Sequence, residues 1–303
     1  MPRNIYTEVN PYMRINANIA ALNAARNLSA TTDSLSKSLE KLSSGYRINR
    51  AADDAAGLSI SEGLRSEISG SMQAQRNAQD GISFIQTTEG ALTEVHSMLQ
   101  RMRELAVQAS NGGTGDNGAA EGAEVSALLS EITGIGSRTT FSGNKVFADY
   151  SGSTANLVFQ VGAHKGDTIS AVVADFSLDT TGTSGVFAAA TIGGTAVSAS
   201  ALASIDLSST TSASLAIKTI DDAIKLVSNA RGTLGAVQNR LEHTVSNLGV
   251  AVENLTASES RIRDVDMSTE MVKFTRAQIL QQAGTSMLSQ ANQIPQSMLT
   301  LLR

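Results

Sequence analysis

Gly113, Gly115 and Gly118 stand at the spacing G-x-G-x-x-G, which cradles a dinucleotide pyrophosphate when a strand precedes it and a helix N-terminus receives the phosphates. In this chain the preceding stretch carries helical periodicity, so the glycines read as a turn and imply no nucleotide site. His96, His164 and His243 lie far apart, none with a second ligand at helical spacing, and the pattern supports no metal site. Asp264 and Asp266 could offer two carboxylates to a cation. Arg261 and Arg263 sit beside them, however, and the group reads as a salt-bridged helix junction. Asp53 and Asp54 read as charges at a helix start, where free amides and the helix dipole favour them. The chain has no Cys, which removes disulfides, thiolate nucleophiles and Cys-ligated zinc. No Ser, His and Asp set can be assembled from these positions. Neither catalysis, a cofactor nor a bound metal is expected, and the chain does not read as an enzyme.

Composition points the same way. Across 303 residues, aromatic side chains make up 4%, Trp is absent, and the 41% that are hydrophobic include many Ala. A globule of this size usually fills its core with larger rings, whereas small aliphatic residues suit thin seams between closely packed helices. Lys and Arg number 23 against 28 Asp and Glu, a net charge of −5 with no basic cluster, so nucleic acid is not an expected partner. The polar segment Met1–Tyr12, with Glu8 and Pro11, lacks the apolar core of a cleaved export signal. No run approaches the roughly 18 apolar residues of a membrane span, and a membrane partner is not expected either.

The elements that position these residues are mostly helices. Ile220, Val227, Leu234, Leu241, Leu248, Leu255 and Ile262 recur at every seventh place, a coiled-coil seam on a helix on the order of 60 Å long. A second seam runs through Ile85, Thr88, Leu92, Val95, Leu99, Met102 and Ala106, on a helix expected to start near Asp53 or Asp54. Gly57, Gly63, Gly70, Gly81 and Gly90 interrupt it, each at about 1 kcal/mol relative to Ala, so close packing must compensate. Asn111–Gly122 reads as a turn, followed by a short amphipathic helix with Val125, Leu128, Leu129, Ile132 and Ile135. Leu28, Leu35 and Leu42 repeat by sevens near the start. Leu280, Met287, Ile294 and Leu301 do so near the finish, joined by Gly284, Ala291 and Met298, with Pro295 expected to loosen the last turns. Between the helical halves, Leu157–Val161 and Thr168–Val173 look like strands, and Asp179–Ser212 is rich in Ser, Thr, Ala and Gly. The expected fold class is mainly α: a long coiled-coil-like bundle formed by both halves, with a small β insertion in the middle.

Several stretches resemble one family. Leu42–Gly57 reads LSSGYRINRAADDAAG, Asn77–Leu92 reads NAQDGISFIQTTEGAL, Leu99–Gln108 reads LQRMRELAVQ, and Glu253–Met271 reads ENLTASESRIRDVDMSTEM. With the ending QANQIPQSMLTLLR, these resemble bacterial flagellin over about 13–147 and 213–303. Met13-Arg14-Ile15-Asn16 is similar to the family's usual start, which leaves 1–12 as an extra segment. Met102 stands where the family often has Val and remains apolar.

The resemblance implies a filament subunit, outside the cell, exported by the flagellar type III apparatus and serving motility. Residues 13–45 and 267–303 would form a terminal-helix domain lining an inner tube. Residues 46–147 and 213–266 would form a helical second domain, and 148–212 a small surface insertion. Leu28, Leu35, Leu42, Leu280, Met287, Ile294 and Leu301 would be assembly seams. Gly45, Asp264 and Asp266 would belong to spokes between the helical layers, at 43–54 and 261–268. Implied partners are other copies of the chain, an export chaperone, the filament cap, and a vertebrate Toll-like receptor contacting Arg101, Leu105 and Glu124. No cofactor is implied. The alternative within the same class is the hook-filament junction protein. A type III secreted translocator would need an apolar membrane-active segment, and an enzyme built on the insertion would need a catalytic constellation; neither is found.

Overall fold

The structure, a computed structural model, describes residues 18–111, 118–147, 157–171, 205 and 207–301, with side chains of the last segment described as far as Ile294. Met1–Tyr12, Gly113, Gly115, most of 172–206 and the side chain of Leu301 lie outside the described residues. Among the described residues, five helices and two short hairpins follow one another: α1 (Ile19–Ser44), α2 (Ala55–Ala109), α3 (Ala119–Arg138), β1 (Thr140–Phe141), β2 (Asn144–Lys145), β3 (Leu157–Gln160), β4 (Thr168–Ala171), α4 (Thr210–Arg263) and α5 (Met267–Leu301). They divide into two compact units, one of Met1–Arg65 with Thr256–Arg303 and one of Ser66–Leu255.

In the second unit, the two seams read by periodicity form the core. Ile85, Leu92, Leu99 and Met102 of α2 are fully buried with Ile220, Val227 and Leu241 of α4, and Ile132 brings in α3. Ala78, Ala106, Ala213 and Ala223 are buried among them, which is how an Ala-rich chain brings helices close. From Leu248 onward the α4 seam is only half-buried.

α2 begins where expected, since Asp54 Oδ1 accepts the Gly57 N–H at 2.8 Å. It runs unbroken through its glycines, and the β3–β4 hairpin explains two of them. A Cβ at Gly81 would lie 3.1 Å from the Phe159 ring, and one at Gly70 would lie 2.9 Å from Ala163 Cβ, so only glycine lets the hairpin sit this close. Phe159 and Phe141 both meet Phe84 edge-on, at centroid distances of 6.4 and 5.5 Å.

β3 and β4 pair antiparallel, Leu157 opposite Ala171 and Gln160 opposite Thr168. The β1–β2 hairpin lies outside the strands expected from sequence. It closes through Ser142 and Gly143, both at positive φ, and the adjoining Val146 and Phe147 are buried. The turn after α2 is shorter than read, because α3 already begins at Ala119. At the other end of the chain, α5 continues as helix through position 295 to Leu301.

Candidate assembly surface

The chain-end unit is built around a junction. α1 stops at Ser44 because Gly45 turns into the left-handed region at φ 75°, its N–H closing on the Lys41 carbonyl at 2.9 Å. The next residues pair with the gap between α4 and α5. Tyr46 and Asp264 form an antiparallel bridge, Arg47 N–H donates to the Arg263 carbonyl at 2.7 Å, and Val265 N–H donates to the Gly45 carbonyl at 3.0 Å. The Arg47 guanidinium also donates to the Ile262 carbonyl.

Arg263 lies over the Tyr46 ring, 4.7 Å from its centroid, and donates to Glu62 Oε1 at 2.8 Å. Arg263 first, then Arg65, holds the Glu62 carboxyl below its usual value. The ion pairs expected between Asp264 or Asp266 and their neighbouring arginines do not form among the described residues. Asp264 Oδ2 accepts the Ser260 hydroxyl at 2.6 Å. Asp266 caps α5, accepting the Ser268 and Thr269 amides and the Thr269 hydroxyl, and Thr269 depresses its pKa most. The junction is therefore a backbone clip with helix caps, because short Asp side chains between two helices reach free amides more readily than guanidinium groups.

Beyond the junction, α1 packs antiparallel on α5. The Asn18 side-chain amide donates to the Ala291 carbonyl at 2.7 Å, and the Ser38 hydroxyl donates to Glu270 Oε1 at 2.7 Å. On α1 the expected seam residues Leu28, Leu35 and Leu42 are half-buried. On α5 the expected stripe divides. Glu270, Ala277, Gly284 and Ala291 are turned inward, and a Cβ at Gly284 would lie 3.2 Å from Leu28 Cδ1. Leu280, Met287 and Ile294 are 52%, 66% and 42% exposed. Met271, Val272 and Ile279 are exposed beside them, and with Leu280 they line an open apolar groove on α5. Such a run of uncovered large apolar side chains is unusual for a monomer and marks an interaction face.

In the second unit, Arg101 and Glu124 are brought together. Arg101 Nε donates to Glu124 Oε1 at 2.9 Å and Nη1 donates to Glu104 Oε2 at 3.2 Å; Glu124 first, then Glu104, raises the guanidinium pKa. Leu105 does not join them at the surface. It is 2% exposed because it lies on the core side of α2, which removes it as a direct contact for any partner in this conformation.

Comparison with known proteins decides the family. Residues 15–152 match the bacterial flagellin N-terminal helical region and residues 217–302 match the bacterial flagellin C-terminal helical region. Flagellin of Bacillus subtilis (strain 168) is 50% identical over 313 residues, with 96% of this chain and 100% of that one covered. The chain belongs to the bacterial flagellin family. Like the other members, it is a structural subunit of a flagellar filament, the organelle part that serves motility. The flagellar filament 33 kDa core protein of Treponema phagedenis is 46% identical over 299 residues, again covering 96% of this chain and 100% of the relative. A flagellar hook-associated protein from Vibrio parahaemolyticus gives a TM-score of 0.52 at 16% identity, covering 70% of this chain and 100% of its own. That likeness concerns the fold alone and does not favour the hook-filament junction alternative.

Two features of the chain-end unit escaped sequence reading. Ser38 and Glu270 are polar residues buried in the helix seam, and Tyr46 meets Arg263 across 217 positions of chain. The expected stripe already held Gly284 and Ala291, and extending that pair back by sevens would have put Ala277 and Glu270 on the same face. No local pattern announces the Tyr46 contact.

Proposed function

We propose that the chain-end unit is the assembly part of the subunit, with 13–45 and 267–303 packing as terminal helices around an inner tube. The observation that carries this reading is the α5 face. Met271, Val272, Ile279, Leu280, Met287 and Ile294 are exposed while Ala277, Gly284 and Ala291 meet α1, which leaves a hydrophobic stripe for neighbouring copies. In the same reading, 46–147 and 213–266 form the surrounding helical domain, 148–212 is a surface insertion, and the Gly45, Asp264 and Asp266 junction is the spoke between layers. Folding of the terminal helices is coupled to assembly, since one thin α1–α5 seam offsets little of the 1 to 2 kcal/mol per residue, roughly, lost in backbone entropy.

The subunit is exported unfolded by the type III route, with a chaperone shielding the stripe and a cap guiding insertion; it is not an enzyme. Arg101 and Glu124 are surface contacts for a Toll-like receptor, with Leu105 anchoring the helix beneath them. Electron microscopy of the purified chain after salting-out tests the central claim. Long helical filaments are expected, and an amorphous precipitate under conditions that polymerise the Bacillus subtilis relative would refute it.

A further inference from the structure

Glu270 stands out in the chain-end unit because it is an acid buried in a seam between two helices. It is 4% exposed. Its Oε1 accepts the Ser38 hydroxyl of α1 at 2.7 Å, and its Oε2 takes Lys273 Nζ of its own helix at 2.9 Å. Ser38 is buried as well. Two further links join the antiparallel helices. The Asn18 side chain reaches the Ala291 carbonyl, and Leu28 fills the notch left by Gly284.

We infer that Glu270 is the residue that fixes the register in which α1 pairs with α5, with Asn18 and Leu28 as secondary markers; this rests on the filament reading above. The seam itself discriminates poorly. Its inward positions on α5, Glu270, Phe274, Ala277, Gln281, Gly284, Leu288 and Ala291, alternate steps of four and three, so a slide by three, four or seven residues still presents a packable face.

Glu270 alone changes sharply in such slides. A slide of three or four residues that stays on the α1 seam sets its carboxylate against Leu35 or Leu42, which cannot replace the Ser38 donor and leave Lys273 of its own helix as the remaining partner. A slide of seven sets it opposite Thr31, whose hydroxyl is donated to the Asn27 carbonyl at 2.8 Å, or carries it past the end of α1 at Gly45. Only the observed register gives the carboxylate a free hydroxyl. A buried polar group of this kind adds little net stability but penalises wrong pairings, the best-attested use of polar residues in helix seams. The need is real for this chain, because α1 and α5 lie at opposite ends of the sequence and find one another among many copies carrying the same helices.

The absence of Cys lets disulfide trapping report the register in the full chain. Thr31→Cys with Ala277→Cys reports the native pairing; Thr31→Cys with Phe274→Cys, or with Leu288→Cys, reports pairings slipped by three from Ala277 or by seven from Gln281, the position opposite Thr31 at the offset of Leu28 with Gly284. Each pair is placed in the unmodified, Glu270→Gln and Glu270→Leu backgrounds, polymerised by salting-out and oxidised. With Glu270 or Gln, which keeps an acceptor for Ser38, only the native pair should close. With Leu, filaments should still form but exclusive closure of the native pair should be lost, the slipped pairs closing too. Exclusive native closure with Leu overturns the inference. So does a Leu chain that no longer polymerises while the Gln chain does, because the residue is then needed for stability and not for register. Failure of the unmodified chain to polymerise would strike the filament reading itself.

Discussion

Replacing Met287 by alanine separates packing inside the subunit from packing between subunits. Met287 is 66% exposed on α5, so truncating it removes little that the single chain buries. If neighbouring copies cover the stripe, roughly two thirds of the side chain's burial is gained only on assembly. Full burial of a methionine is worth about 1.5–3 kcal/mol, so that share is about 1–2 kcal/mol per subunit. Since 1.4 kcal/mol is about a tenfold change in an equilibrium, the critical concentration for polymerisation should rise about 5- to 30-fold. Sedimentation of salted-out protein across a concentration series measures it. The urea midpoint of the soluble subunit should stay within error of the parent. Leu241→Ala makes the reverse control: fully buried on α4 against α2 at Gly81, it should destabilise the subunit by about 2–5 kcal/mol. A critical concentration within twofold of the parent for Met287→Ala would refute the claim that other copies seal this stripe.

Mild proteolysis of the soluble subunit should trim both chain ends to a resistant core near 50–260 that no longer polymerises; protected ends, or filaments from the trimmed core, would defeat assembly-coupled folding. Gly45→Ala meets no atom within 4 Å but keeps φ at +75°, so it should cost about 1–2 kcal/mol locally and alter filament pitch or swimming; unchanged filaments would argue against a spoke. Burial acts to raise the Glu270 pKa, yet the Ser38 and Lys273 bonds together hold it below the ordinary 4.5. A lowered folded-state pKa gives stability that is present above the unfolded value and lost as pH falls through the folded one. Filament melting should therefore fall as pH drops below about 5, and less steeply in Glu270→Gln; parallel curves would show that its charge adds no stability. Arg101→Ala should lower Toll-like receptor activation by the monomer more than twofold in a reporter assay, and an effect within twofold would remove it from the contact.

How much of this was legible depended on whether a residue's role is set by its neighbours in sequence. The α2 and α4 seams were readable because burial in the second unit recurs with the helical period and falls on large apolar side chains. The Asp54 cap and the Gly45 stop were readable for a related reason, since each acts on the turn beside it. The β1–β2 hairpin was missed because two-residue strands have no alternation to detect, leaving Ser142-Gly143 as its only signal. Leu105 is buried where Arg101 and Glu124 reach the surface, because four positions along a helix do not guarantee the same exposure. The junction was placed correctly but assigned the wrong bonds. Sequence proximity put arginine beside aspartate, while the fold put Arg263 beside Glu62 and Tyr46.

The α5 helix shows why the largest side chains are a poor guide to where a chain end packs. A seam read by size selects Leu280, Met287 and Ile294, and in a self-contained bundle that choice would hold, since exposing them forgoes several kcal/mol of burial. The helix instead turns Ala277, Gly284 and Ala291 toward α1. Small residues on that side bring the two backbones close, close enough that Leu28 seats over Gly284, and they leave Leu280, Met287 and Ile294 exposed on the flank of the seam. Such an arrangement is poor for a monomer and suited to a subunit whose main hydrophobic partner is another copy of itself. On the proposed reading, the face that sequence patterning marks as apolar is the assembly face, and the intramolecular seam is the one that must be specified by other means. Packing of small residues tolerates sliding, so a polar contact such as Ser38 with Glu270 has to discriminate where shape cannot.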